Sequence, residues 1–127
     1  MEPIDPSDRP VLRTVAYDHP DAVGLVAQLQ EFFRERYGDI DHTKVDPSDF
    51  APPRGRFLVA YVDGVAVACG GWRVRDDGDP DLLPGDAEIK RMFVVPGARG
   101  RGLSRLILAE LERTAAQAGA RRLVLET

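Results

Sequence analysis

The 127-residue chain has a single cysteine, Cys69, and two histidines, His19 and His42. One cysteine cannot close an internal disulfide, a pattern that fits a reducing, cytoplasmic setting. The histidines stand apart in polar stretches, and with no cluster of Cys and His there is no candidate metal site. No apolar run approaches the roughly 20 residues a membrane-spanning helix needs. The opening "MEPIDPSDRP" lacks the basic start and apolar stretch of a secretion signal. Internal repeats and low-complexity tracts are missing as well. Disulfide scaffolds, metal centres, membrane spans and repeat arrays are therefore set aside. What is present, 43% hydrophobic and 30% charged residues, describes one globular domain over residues 11–127 behind a loose leader at 1–10.

Charge is unevenly spread. Residues 1–87 hold 9 basic and 17 acidic side chains, whereas residues 88–127 hold 8 basic and 4 acidic. The basic tract suits a bound anion, while the acidic remainder argues against a broad nucleic-acid surface. An RNA-binding reading through Arg99, Arg101, Arg105, Arg121 and Arg122 also lacks interleaved aromatic residues.

"VLRTVAY" alternates like a strand. A helix opens at Asp18 or Pro20 and runs to Tyr37, with Val23, Val26, Ala27, Leu29, Gln30 and Phe33 as its apolar face and Gly38 as its stop. A polar connection follows, with one short helix near Pro47–Phe50. "FLVAYVDGVAVACGGW" reads as a hairpin around Asp63-Gly64, the pair favoured in a type I′ turn. Gly70-Gly71 marks a bulge or a close backbone approach. Cys69 sits in an apolar run, which suits a buried, inert thiol, and Trp72 belongs to the core or a pocket wall. The acidic loop with Asp76, Asp77, Asp79 and Asp81 is either solvated charge or an attractor for a cationic amine. In the strand "AEIKRMFVV", adjacent Lys90 and Arg91 break the alternation and hint at a bulge. A helix over Gly102–Ala118 carries Leu103, Leu106, Ile107, Leu111, Ala115 and Ala118 on one stripe, and "RRLVLE" is the last strand. The order is mixed α/β, with a right-handed β-α-β crossover at its end.

The stretch Arg99-Gly100-Arg101-Gly102-Leu103-Ser104 lies where a strand hands over to that helix. Glycines allow backbone conformations and close approaches that side chains block, and a helix start presents amides without intrahelical partners. With two arginines added, the turn suits a phosphate or pyrophosphate. A basic loop that merely connects is the plainer alternative. The Walker spacing from Gly97 places Leu103 where lysine is required, so an ATPase reading fails. Arg105 stands where a dinucleotide fingerprint needs its third glycine.

These residues resemble the acetyl-CoA motif of the Gcn5-related N-acetyltransferase (GNAT) family, Arg/Gln-x-x-Gly-x-Gly/Ala after a strand and at a helix start. "AEIKRMFVVP", the hairpin and "GARRLVLET" are similar to the family too, so the resemblance covers about residues 10–127. It implies a mixed, mostly antiparallel sheet flanked by helices, the acyl-CoA N-acyltransferase fold. It implies acetyl-CoA as acetyl donor and a small-molecule or peptide amine as acceptor, with no nucleic-acid or membrane partner. Amides from Arg99 through Gly100, Arg101, Gly102 and Leu103 to Ser104 would cradle the CoA pyrophosphate, with Arg105 nearby. The backbone of Met92, Phe93 and Val94 would pair with the pantetheine arm. Ser104 departs mildly from the family's Gly or Ala.

The family often uses a strand glutamate as base, and Glu88 stands at that place. The alternative is that Glu88 pairs with Lys90, Arg73 or Arg75 on a solvated face. The family's usual acid, a tyrosine on a helix after the "LVLET" strand, has no counterpart, because the sequence stops at Thr127. Tyr17, Tyr37 and Tyr61 lie in other elements. On this reading the fold is C-terminally incomplete, so that it pairs with another copy as a homodimer or acts weakly alone. A catalytically incomplete acyl-CoA-binding module is the second functional reading.

Overall fold

The computed structural model describes residues 9–74 and 81–125. Most of the leader and, in the acidic loop, Asp76, Asp77 and Asp79 lie outside the described residues. One five-stranded sheet runs in the order β1 (Val11–Thr14), β2 (Gly55–Val62), β3 (Val65–Val74), β4 (Asp86–Val94) and β5 (Arg122–Leu125). Pairings are antiparallel as far as β4, and β4–β5 is parallel. A parallel step needs a crossover, which helix α2 (Leu103–Gln117) supplies. The expected mixed, mostly antiparallel sheet flanked by helices is what forms.

Adjacent glycines show how the two faces are covered. A Cβ on Gly70 would lie 2.9 Å from Met92 Cγ and 3.2 Å from Ile107 of α2. One on Gly71 would lie 2.7 Å from Phe57 and 2.8 Å from Phe50, on the opposite face. That second face also carries helix α1 (Pro20–Tyr37), whose Phe32 ring lies 6.4 Å from Phe93 of β4.

The local turns follow their sequence cues. Val62 pairs with Val65 across Asp63-Gly64, whose φ values of 50° and 76° are the two positive angles a type I′ turn demands. The α1 cap is His19, which accepts the Asp21 amide on Nδ1 at 3.0 Å, and Gly38 at φ 82° ends the helix. A 3₁₀ turn spans Pro47–Phe50, fixed by reciprocal Asp46–Asp49 capping bonds. β1 is shorter than expected. It ends at Thr14, after which Tyr17 leaves the sheet edge to stack on Phe50 at 4.9 Å.

Both helix faces need correction. In α1 the buried residues are Ala22, Leu25 and Leu29, while Val23 is 54% exposed and Ala27 is exposed. Apolar residues surround most of this helix, so periodicity alone cannot choose the face; the sheet selects the one carrying Leu25. In α2 the stripe through Leu103, Ile107, Leu111 and Ala115 is buried as expected, but Leu106 is exposed and Ala118 lies past the last turn. Thr114 is buried in their company because its hydroxyl is satisfied. It accepts Trp72 Nε1 at 2.9 Å and donates to the Glu110 carbonyl at 2.8 Å.

β5 is fastened to β4 by charge as well as by its ladder. Arg122 donates Nε and Nη2 to the two oxygens of Asp86, at 3.0 and 2.6 Å. This hydrogen bonding, with the arginine's charge, holds the Asp86 carboxyl below its usual value and raises the Arg122 pKa. A carboxyl depressed in the fold stabilises it above the unfolded pKa of about 4 and loses that contribution as pH falls through the folded value. Asp86→Asn is therefore expected to lower the thermal midpoint at neutral pH, with the gap to wild type closing below about pH 4. Melting curves across pH check this; a gap of constant size would contradict the pairing.

Candidate active site

β4 is irregular where the site forms. Opposite Cys69–Gly71 of β3, β4 runs from Phe93 to Lys90 and so carries one residue more than its partner. Within this bulge Arg91 adopts φ 61°, rare for a non-glycine residue and costing about 1–2 kcal/mol. The bulge suspected at Lys90 and Arg91 is thus present, and Gly70 faces it. Among the described residues, β5 pairs with β4 only from Asp86 to Ile89. Val95 donates its amide to Val67 of β3 at 2.9 Å, so ladder alternation turns the backbone groups of Val94 away from β3. Arg99 Nε meets the Val94 carbonyl there at 3.1 Å.

Beyond β4 a short 3₁₀ turn, Pro96–Ala98, delivers the chain to α2. Gly100 and Gly102 adopt φ 82° and 75°, and Gly102 caps α2 with no side-chain hydrogen bond. The first-turn amides of α2 consequently point into open space, where the helix dipole favours an anion. A cavity of ≈ 420 Å³ opens there, lined by Val94, Ala98, Arg99, Gly100, Gly102, Leu103, Ser104 and Arg105. Most residues expected to bind CoA are thereby brought together. Met92, Phe93 and Arg101 are not part of the lining: Phe93 is buried in the core, and Met92 packs partly against it. The Arg99 side chain folds back from the turn, its guanidinium lying 5.2 Å from the Phe32 ring centroid and 6.0 Å from that of Phe93.

Glu88 lies on β4 between its two neighbours, opposite Arg73 of β3 and Val124 of β5. Its side chain is 1% exposed, and Oε1 accepts Arg73 Nε at 3.1 Å. The solvated face expected for an ion-paired Glu88 is therefore corrected. The partner is indeed Arg73, but the pair is buried, since Arg73 is itself 4% exposed. Removing one member of such a pair typically costs about 3–5 kcal/mol. Arg73 also donates Nη1 to Asp49 at 2.8 Å and to the Lys44 carbonyl at 3.0 Å. Sequence reasoning did not assign Arg73 or Asp49 to the site. The available signal was an arginine inside the apolar run "VACGGWRV", a placement that requires anionic partners.

Comparison with known proteins bears on this geometry. Residues 22–127 match the model of the acetyltransferase (GNAT) family. The chain belongs to the GNAT family. It is 37% identical over 117 residues to an IAA acetyltransferase from Azospirillum brasilense, covering 90% of this chain and 72% of that one. A Klebsiella pneumoniae structure described as an acyl-CoA N-acyltransferase is similar at a TM-score of 0.70 and 25% identity, over 97% of this chain and 73% of the other. The fold also matches AAC(6')-Iy, solved with a CoA-linked bisubstrate analogue, at a TM-score of 0.62 and 18% identity, over 94% and 80% of the two chains. As a GNAT protein the chain is an N-acetyltransferase by class.

Three tyrosines stand apart from this GNAT site. Tyr17 packs on Phe50 and Phe57, Tyr37 is exposed at the end of α1, and the Tyr61 hydroxyl bonds Asp21, its pKa pushed up to about 12 by burial and that carboxylate. Cys69 is fully buried, donates to the Arg91 carbonyl at 3.3 Å and has its pKa raised by burial to about 12, so it is no nucleophile. Among the described residues no group of three metal-ligating side chains occurs, and no helix is long and apolar enough to cross a membrane.

Gly102→Val places a branched side chain at φ 75° on the rim of the cavity. The folded variant should melt at a lower temperature and lose more than about tenfold in CoA affinity, a change of 1.4 kcal/mol or more. Calorimetry showing wild-type affinity in that folded protein would remove the turn from the site.

Proposed function

We propose that this GNAT protein transfers an acetyl group from acetyl-CoA to a primary amine of a small molecule or peptide. The observation that carries the reading is that the end of β4 at Val94 and the uncapped start of α2 at Gly102 line one cavity. Acetyl-CoA supplies the activated acyl group. Amides of the turn from Gly100 to Ser104 bind its pyrophosphate, the Arg99 amide being bonded to the Pro96 carbonyl; Arg105 adds charge, and the β4 edge pairs with the pantetheine amides as an extra strand would. That pairing aims the thioester along β4 towards Glu88.

An ammonium ion cannot attack a thioester, so the acceptor must lose a proton first. Glu88 takes it, directly or through one water, in keeping with the strand place at which the family often carries its base. Its ion pair with Arg73 fixes the carboxylate in orientation. The buried single thiol accords with a cytoplasmic setting. One observation favours the second reading, an acyl-CoA-binding module without turnover: Glu88 is already engaged by Arg73.

Turnover decides between them. Thiol release from acetyl-CoA should depend on an added amine, tested with spermine, glucosamine, phenethylamine and a peptide with a free N-terminus. Glu88→Gln should retain acetyl-CoA affinity and lose about 10²-fold or more in kcat, the scale of general-base catalysis. CoA binding with no amine-dependent release from any acceptor would favour the binding module. A wild-type rate in folded Glu88→Gln would leave Glu88 purely structural.

A further inference from the structure

The connection from Gly38 to Phe50 crosses the α1 face of the sheet and is fastened from beneath. Gln30 accepts the Asp41 amide at 2.8 Å and donates to the Asp41 carbonyl at 3.0 Å. Arg91, rising from the β4 bulge, donates to the Asp41 carboxylate and, at 2.9 Å, to the Thr43 carbonyl. Arg73, rising from β3, holds the Lys44 carbonyl and Asp49. Asp49 Oδ2 also accepts the Asp46 amide at 3.1 Å, so the same oxygen closes the 3₁₀ turn and receives the arginine. Both arginine side chains are at least nine-tenths buried. Bonds of this kind leave the strap little freedom, because releasing either guanidinium would strand a charge in the core.

We propose that Arg73 is a positioning residue for acetyl transfer, its one guanidinium joining Glu88 to the 44–49 strap so that base and acceptor-side wall hold a common geometry. The inference rests on the reading of Glu88 as the base. A guanidinium can do this because Nε and Nη1 are rigidly related in one plane: with Nη1 seated on Asp49 and the Lys44 carbonyl, Nε has a single direction in which to meet Glu88. The strap lies on the same face of the sheet as Glu88, so an amine approaching that carboxylate passes along it. Its fixation means this wall beside Glu88 is preformed rather than closed by substrate.

Arg73→Lys keeps the charge but replaces the fork with one nitrogen, which cannot serve Glu88 and the strap in the same geometry. Its kcat, measured with the amine turned over fastest in the panel above, should fall by about tenfold or more while the acetyl-CoA KM stays within about twofold. Amide exchange over residues 44–49 should quicken in the same variant, with and without saturating CoA. Asp49→Asn releases only the strap side, so it should raise the acceptor KM and quicken exchange with a smaller fall in kcat. Asp49→Asn serves if Arg73→Lys does not fold, since exchange is read without turnover. Wild-type kcat, acceptor KM and exchange in both variants would overturn the proposal. So would equal losses in kcat and CoA affinity, which mark general destabilisation. Failure of the base reading shows separately, as an unchanged rate in Glu88→Gln with exchange still quickened by Arg73→Lys; Arg73 then anchors the strap alone and the positioning role falls.

Discussion

At Arg91 the backbone turns left-handed inside a strand, and the site is organised around that residue. Its side chain is thrown onto the α1 face, where it binds Asp41 and Thr43. Its carbonyl accepts the Cys69 thiol. Gly70 faces the bulge without a Cβ, which would otherwise press on Met92 and Ile107. The conformational cost of about 1–2 kcal/mol is offset by these bonds, since charge-assisted hydrogen bonds contribute about 1.5–3 kcal/mol each.

The uneven charge of the chain acquires a structural meaning. Several carboxylates of the acidic portion are turned to internal use: Asp41 on Arg91, Asp49 on Arg73, Asp46 on the 3₁₀ turn and Asp86 on Arg122. Burial alone would raise the Asp41 pKa, but the Thr43 hydrogen bonds and the Arg91 charge bring it below its usual value. It therefore stays charged at neutral pH and keeps the strap fastened. Arg99 and Arg105, by contrast, line the open cavity beside the free amides of α2. Carboxylates paired with Arg73, Arg91 and Arg122 hold the scaffold, while Arg105 stands at the open cavity.

What could be read in the sequence was mostly what is determined locally. The hairpin turn, the end of α1 at Gly38 and the uncapped start of α2 each depend on a glycine with positive φ and its immediate neighbours. The β4 bulge announced itself through Lys90 and Arg91, two long cations in adjacent strand positions. The face of α1 was not legible, because Val23 and Leu25 are both apolar and only the sheet distinguishes them. Nor was the burial of Glu88, whose partner Arg73 is fifteen residues away. Those pairings depend on register across β3 and β4 and on a strap brought in from before β2.

The central claim is that the β4 edge and the α2 start form one continuous CoA-binding surface. Amide NMR of the isotopically labelled protein, titrated with CoA, tests it without requiring turnover or a known acceptor. Shift changes should concentrate at Met92–Val94 and Arg99–Arg105, saturating together with one dissociation constant. Changes confined elsewhere, such as the separate cavity beside β1 lined by Arg9, Arg13 and His19, would contradict it.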